Sequence, residues 1–524
     1  MASLAITQTL TLPKMPMIDL LLITAPFTYT YGPSLSPALL KACAEKNNIK
    51  SRTWDISAEF NYNHNHVNSY KNITAWMRSS ELTLSSEDYN WYQTVVREYA
   101  DKIVNHYQPT VLAISLLTQN SQRFTEDLCY QVKLANPTIK IILGGSGLDI
   151  LQHLFNTKWH DLMLDSGLAD TVILGEGEYA LPRAINQNLT GLIKEPSLTG
   201  ALLDQVPIPD YDDYDFSLYQ NSTKTYWSLE GDPKDKNELI FLITASKGCV
   251  KNCSFCDVGK IWPTFRFRSA EKVADEIISL HKKYNAVYFN FTDSLMNGGL
   301  KVFYELNNIL ATRLPKTIKY EGQIICRSQQ EMPERYFKAM ADAGCARVSI
   351  GMESGSEQVR MHMGKGSRQS DVYYTTEMLS KYDINQTWNI IAGYPTETHV
   401  DWQQTMELIQ YHLPRSNGLL TINPIDTFMM LQGTPINDDH HYNDLKIKQH
   451  IVNGYSSFAW TVDTNPTNTY DVRAARFMEL CNYLIEYDHS QYHALYNKIE
   501  NTKKHLDWYH NEIKPKKIFN IVAN

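Results

Sequence analysis

The stretch Ala245–Gly259, ASKGCVKNCSFCDVG, sets Cys249, Cys253 and Cys256 at the spacing Cys-x3-Cys-x2-Cys. Three thiolates on so short a loop can each turn inward on one body, with backbone N–H groups aimed at the sulfides of an iron-sulfur cluster. The number of ligands decides what kind of site this is. Structural zinc closes on four ligands, and neither Asp257 nor the distant histidines complete the paired spacing of a zinc ribbon or knuckle. A ferredoxin-type cluster takes a fourth cysteine at a recognisable spacing, and none lies nearby. Three cysteines leave one iron with an open position, and an open metal position is where substrate chemistry occurs. A non-enzymatic electron-transfer or structural centre is the rival reading from a different class.

Downstream of the triad, apolar strands recur as LIFLIT from Leu239, VYFNF from Val287, YEGQII from Tyr320, RVSIGM from Arg347, TWNIIA from Thr387 and LLTIN from Leu419. Helical stretches lie between them. That from Ala270 to Lys283 places Val273, Ile277 and Leu280 or His281 on one face, and that from Pro333 opens with proline and buries Phe337, Met340 and Ala341. Six such units predict a partial parallel barrel over residues 239–436, a (β/α)6 arrangement whose active groups gather at the carboxyl ends of the strands. At those ends stand Asp293 in FTDSL, Arg327 in CRSQQ, Gly351, Glu353 and Ser354 in GMESGSEQVRMHMGKG, and Gly393, Pro395 and Glu397 in IIAGYPTET. MLQGTPI follows, with Gly433, Thr434 and Pro435.

Upstream, the alternation is similar. DLLLI from Asp19 reads as a buried strand, followed by the loop APFTYTYGPS, the helical PALLKACAEKNN and a short strand near Arg52–Asp55. VLAISLL from Val111 leads through TQNSQ into a helix carrying Phe124, Leu128 and Val132, and IKIILGGSG and VILGEGEYAL add strands that end in glycines. The alternation predicts an α/β, doubly wound, Rossmann-like sheet over residues 1–200, with ligands at the carboxyl ends of its strands. Gly144, Gly145, Gly147, Gly175 and Gly177 lie at such ends, where glycine serves either a close-lying cofactor or a turn. Residues 60–108 read as polar, aromatic and helical, 201–238 as a linker, and 437–524 as a helical C-terminal region.

Bulk composition narrows the function class. A net charge of −8 without a long basic run argues against sequence-independent nucleic-acid binding. Eight cysteines in 524 residues, with Cys43, Cys129, Cys326, Cys345 and Cys481 scattered singly, are too few for a disulfide scaffold and fit a reducing cytoplasm. No apolar run approaches a bilayer span, and the opening MASLAITQTLTLPKMPM lacks the parts of a secretory signal, so it is expected to be a short leader to the first strand.

The cysteine triad and the ordered barrel strings together resemble the radical S-adenosylmethionine (SAM) superfamily. The order of Pro-rich loop, ISLLTQN, KIILGGSG and DTVILGEGE resembles the cobalamin-binding domain that precedes the radical domain in one branch of it. The resemblance implies a [4Fe-4S] cluster on the three cysteines, with SAM chelated by the open iron. Phe255 would lie near the adenine. Asp293, Glu353 and Ser354 would offer oxygens to the ammonium or ribose of SAM, Gly351 and Gly393 would admit it closely, and Arg327 would take a carboxylate or stand in an ion pair. Gly144, Gly145 and Gly175 would admit cobalamin. The cobalt-ligating motif Asp-x-His-x-x-Gly is absent, and His106, His153 and His160 read as ordinary histidines. The implied reaction is reductive cleavage of SAM, with cobalamin-dependent methylation of an unactivated carbon as the leading expectation and radical rearrangement or cyclisation as its rival. A reductant such as a flavodoxin or ferredoxin is the implied partner, and the substrate is not specified.

Overall fold

The computed structural model describes residues 18–26, 31–78, 83–148, 158–219, 239–431, 433–438, 440–449 and 458–513. The expected leader, His153 and half of the expected linker, residues 220–238, lie outside these residues. By internal packing the chain divides into two units, the first comprising Met1–Gln152, Asn156–Pro196 and Val206–Tyr219, and the second the remainder.

The first unit is built on six parallel strands, β1 (Leu20–Thr24), β2 (Ser51–Trp54), β3 (Val111–Ser115), β4 (Lys140–Gly144), β5 (Thr171–Leu174) and β6 (Gly191–Lys194), in the order β2-β1-β3-β4-β5-β6. All five residues of β1 are buried, as a central strand covered on both faces requires. At the edge, β6 alternates half-buried and exposed residues. The order reverses between β1 and β3, which makes the sheet doubly wound and opens a crevice at the carboxyl ends of those two strands. The expected helix is Gln122–Ala135, and it buries Phe124, Leu128 and Val132. The aromatic stretch before it is core: Phe60, Tyr92 and Tyr99 each lie within 6.4 Å, ring to ring, of Phe124.

Part of the expected linker is folded. Asp213 pairs with Lys41 at 2.7 Å and with Arg52, and the Tyr219 hydroxyl donates to Asp55 at 2.7 Å, so Val206–Tyr219 packs with the first unit. Ser197–Gln205 goes with the second unit, where the Leu198 carbonyl accepts from Arg266 at 2.6 Å.

The glycines expected to admit cobalamin have nearer neighbours. Gly145 has φ +108° and a Cβ there would collide with the Leu116 carbonyl; Gly175, at φ +105°, would meet the Glu195 carbonyl. A Cβ on Gly144 would find only an ordinary contact, 3.8 Å from the Ile173 carbonyl. At Gly145 and Gly175 glycine is needed because strand ends in the same sheet approach backbone to backbone, which sequence spacing cannot distinguish from the approach of a cofactor.

In the second unit, β7 (Ile240–Ile243) leads to the short antiparallel pair β8 (Ser246–Lys247) and β9 (Arg266–Phe267). The six-stranded parallel sheet continues with β10 (Tyr288–Phe291), β11 (Lys319–Ile324), β12 (Cys345–Glu353), β13 (Asn385–Ala392) and β14 (Leu420–Thr427), ordered β14-β13-β12-β11-β10-β7. Every strand of this sheet lies beside its predecessor, so it winds in one direction, as expected of a partial barrel. Val273, Ile277 and Leu280 are buried on the helix Ala270–Tyr284; on Arg335–Asp342 the buried residues are Tyr336, Phe337, Ala339 and Met340, with Ala339 in place of the expected Ala341. The C-terminal region carries the helices Tyr470–Tyr487 and Leu495–Trp508, and also an antiparallel pair, β15 (Ile447–Gln449) with β16 (Trp460–Val462), where only helix was expected. No described helix is long and apolar enough to cross a membrane.

Gly145→Ala is expected to destabilise the first unit by about 2 kcal/mol or more, because strain and a backbone collision coincide there. Gly167→Ala, at φ +70° with open space around it, should cost clearly less. Urea unfolding of the two variants side by side tests this, and equal losses would refute the role given to Gly145.

Candidate functional site

The cysteine loop leaves β8 at Gly248 and ends at the short helix Val258–Ile261. Its root is fixed by Asp293, just beyond β10, whose carboxylate accepts from the Ala245 N–H at 2.9 Å and from the Ser246 hydroxyl. Asp293 is 1% exposed, and burial pushes its pKa up to about 6. Both carboxylate oxygens thus accept from the root of the loop, so Asp293 helps to position the triad.

Three distant segments pin the middle of the loop through Ser254. Its N–H donates to the Met363 carbonyl at 2.8 Å, its carbonyl accepts from the Ile436 N–H at 2.7 Å, and its hydroxyl lies 2.9 Å from the Tyr394 hydroxyl. The Tyr394 hydroxyl in turn lies 2.9 Å from His362 Nδ1. All eight cysteines are free thiols; Cys253 is buried, and Cys249 and Cys256 are half-buried and line an open recess with Lys260, Trp262, Gly433 and Thr434. Burial pushes the Cys253 thiol up to about 11, opposed by the nearby Lys365 ammonium. Among the described residues, no three His, Cys, Asp or Glu groups close on a common point as a single-ion site would.

Against this loop lies the end of β12. Glu353 has φ +60° where the register with β13 shifts, a left-handed conformation that costs a non-glycine residue of order 1–3 kcal/mol. Its carboxylate is held by Lys365, 2.8 Å away, and the same ammonium donates to the Gly351 carbonyl at 2.8 Å. A Cβ on Gly351 would strike both Glu353 Oε1 and Lys365 Nζ, so the glycine makes room for this ion pair. Phe255 packs edge-on to Phe428 with centroids 6.4 Å apart, and Lys365 Nζ stands 5.6 Å from its ring centroid.

The other expected residues are held within the fold. Ser354 is fully buried, with its hydroxyl 3.3 Å from that of Thr405 and accepting from the Ser356 N–H at 3.2 Å. Arg327 forms an ion pair with Glu331 at 3.1 Å and donates to the Asn297 carbonyl at 3.1 Å, while its Nε is buried without a hydrogen-bond partner among the described residues. Gly393, φ +85°, is filled by the chain itself, since a Cβ would collide with the Arg473 side chain from the helix Tyr470–Tyr487. The Arg473 guanidinium lies 3.6 Å from the Trp460 ring centroid and donates to the Asn468 carbonyl at 2.7 Å. Glu397 accepts from the Gly393 N–H at 2.9 Å and pairs with Arg476 at 2.8 Å. Sequence reasoning passed over Lys365, although it stands between two glycines in the quoted string HMGKG, and it gave no sign of Ser254, Tyr394 or Arg473 as packing partners.

Residues 243–409 match the model of the Radical SAM superfamily. This chain carries a radical SAM domain. Among curated relatives, an uncharacterized methyltransferase of Pyrococcus horikoshii is 24% identical over 331 residues, which cover 58% of this chain and 65% of that protein. An anaerobic magnesium-protoporphyrin IX monomethyl ester cyclase of Synechocystis sp. is 24% identical over 301 residues, covering 55% of this chain and 56% of that one. The matches therefore span between half and two thirds of these relatives. Two solved folds are similar: the radical SAM methyltransferase TsrM of Kitasatospora setae, with cobalamin and a [4Fe-4S] cluster bound, at TM-score 0.53 and 13% identity over 84% of this chain and 79% of that one; and the cobalamin-dependent radical SAM enzyme OxsB, with aqua-cobalamin and SAM bound, at TM-score 0.60 and 14% identity over 90% and 67%.

Burial outweighs the pull of Arg476 at Glu397 and pushes its pKa up to about 7. Between about pH 4.5 and 7 the folded chain then keeps a proton that the unfolded chain has released, so stability falls as pH rises through that window and levels off above it. Asp293 acts in the same direction. Urea unfolding at pH 5 and pH 8 should show a shallower pH dependence for Glu397→Gln than for the parent chain; identical slopes would contradict the assignment.

Proposed function

We propose that this protein is a radical SAM enzyme that reductively cleaves SAM at a [4Fe-4S] cluster on Cys249, Cys253 and Cys256, and that with cobalamin it methylates an unactivated carbon of its substrate. The observation that carries the reading is a loop with three free thiols and no fourth cysteine nearby, pinned at the end of a sheet wound in one direction, in a chain that also contains a doubly wound sheet. Three sulfur donors suit iron and leave a coordination position for a ligand. When bound, the cluster supplies one electron to the sulfonium of SAM, and a flavodoxin or ferredoxin is the class of donor proposed to replenish it.

The chain's own groups supply placement. Asp293 and Ser254 hold the thiol-bearing loop at fixed reach, Phe255 and Phe428 line its inner side with apolar rings, and Glu353 presents a carboxylate in a conformation set by Lys365. Strain and buried charge gathered in one place are typical of sites that bind and orient a ligand.

For cobalamin, the crevice between β1 and β3 offers a fit. The Thr24 hydroxyl at the end of β1 is buried without a hydrogen-bond partner among the described residues, and Leu117 beyond β3 is 49% exposed. A flat, apolar-faced ligand with polar amides suits that pairing. No lower histidine ligand is proposed: His160 is buried 3.5 Å from Asp161, and His106 packs on Tyr107. A second reading, rearrangement or cyclisation without methyl transfer, is favoured by the likeness to the Synechocystis cyclase.

Anaerobic reconstitution with iron, sulfide, cobalamin and SAM under reducing conditions tests the proposal. The wild-type chain should yield 5′-deoxyadenosine, and serine at any of the three cysteines should reduce that yield by roughly a hundredfold or more. S-adenosylhomocysteine formed alongside deoxyadenosine supports methyl transfer, whereas deoxyadenosine alone in the presence of substrate supports the second reading. Zinc in place of iron, or undiminished cleavage by the serine variants, overturns both.

A further inference from the structure

The turn His362–Gly366 approaches the cysteine loop so closely that a Cβ on Gly364, at φ +79°, would sit 2.9 Å from the Asn252 carbonyl. That approach brings in Lys365, whose side chain is only 10% exposed. Its ammonium is fixed on three sides, by the Glu353 carboxylate at 2.8 Å, the Gly351 carbonyl at 2.8 Å and the face of Phe255 at 5.6 Å. Phe255 sits directly before Cys256, and Lys365 follows Met363, whose carbonyl holds Ser254. A buried, hydrogen-bonded ammonium without bulk water around it exerts a field that solvent screens little.

We propose that Lys365 is a positioning residue that sets the reduction potential of the cluster on Cys249, Cys253 and Cys256, with Glu353 as its opposing charge. The inference rests on the cluster assignment above. Three thiolates against a doubly positive cluster give a net charge of minus one, and taking up one electron from an external reductant gives minus two. A fixed positive charge beside the site stabilises the more negative state and so favours reduction. A carboxylate has the opposite effect, but it is the turn carrying the ammonium that meets the cysteine loop, where a Cβ on Gly364 would lie 3.5 Å from the Cys253 Cα. The ammonium also stands over the ring of Phe255, the residue that directly precedes Cys256. Removing either partner alone therefore shifts the potential in opposite directions, which a purely structural salt bridge would not do.

The test is an anaerobic redox titration of the reconstituted full-length chain, followed by the electron paramagnetic resonance signal of the reduced cluster. At fixed poise, Lys365→Gln should lower the ratio of reduced to oxidised cluster by on the order of tenfold, equivalent to ~59 mV for a one-electron couple. Lys365→Arg should restore the parent value, and Glu353→Gln should raise the ratio. Should Lys365→Gln fail to take up iron, the sign of the Glu353→Gln shift decides alone, and a shift toward harder reduction refutes the inference. An unchanged potential in an iron-replete Lys365→Gln protein, or shifts of the same sign in both variants, also refutes it. A wild-type chain that takes up no iron fails at the cluster assignment itself, and so is distinguished from an iron-loaded protein indifferent to Lys365.

Discussion

The hydrogen bond from the Ser254 N–H to the Met363 carbonyl, 2.8 Å long, joins the cysteine loop to a turn that follows it by more than a hundred residues. A loop bearing three thiols has little local reason to hold one shape, since its own backbone forms few internal hydrogen bonds. Order is therefore imposed from outside, by Asp293 at its root and by Met363, Tyr394 and Ile436 at its centre. Those residues come from after β10, β12, β13 and β14, so correct winding of the sheet is a precondition for the geometry of the triad. Each contact closes a long chain segment, and the entropy of closure is met by the strand pairing already in place.

The end of β12 shows what this arrangement costs. Glu353 adopts a left-handed conformation at a register shift, and a lysine with 10% of its side chain exposed is drawn in beside it. Neither feature would be chosen for stability alone. A buried ion pair seldom outperforms well-packed apolar groups, and a strained residue persists only where its surroundings over-determine it. Here they do: Gly351 leaves the space, Lys365 binds both the Glu353 carboxylate and the Gly351 carbonyl, and the β12–β13 pairing fixes the backbone on one side.

Much of the scaffold was legible in the sequence because apolar runs of β-branched and aromatic residues between turn signals carry their own period. All six strands from LIFLIT to LLTIN appear where they were read, and so does the helix bearing Phe124, Leu128 and Val132. The pair Ile447–Gln449 and Trp460–Val462 was missed, because three-residue strands are too short to show alternation. The site was legible only in its chemistry-bearing letters. A glycine announces that something comes close without saying what, and at Gly145, Gly175 and Gly393 the neighbour proves to be the protein itself. Lys365 was illegible for the opposite reason: lysine is ordinarily a surface residue, and only the folded turn reveals that this one points inward.

The contrast between Arg327 and Arg473 shows where the fold invests its buried charge. Arg327, after β11, spends its guanidinium on Glu331, a carboxylate half open to solvent, and on one carbonyl. Arg473 reaches Gly393 from the C-terminal helix, stacked on Trp460 with carbonyls as acceptors, and burial pulls its pKa down to about 9. Its stem fills the space that Gly393 leaves, and Arg476 on the same helix pairs with Glu397. The C-terminal helix thus does more than cover apolar surface. It completes the carboxyl end of β13, and because Tyr394 follows Gly393 directly, the hydroxyl that holds Ser254 is fixed by the same docking. Loosening that helix would therefore reach the thiol-bearing loop through Tyr394.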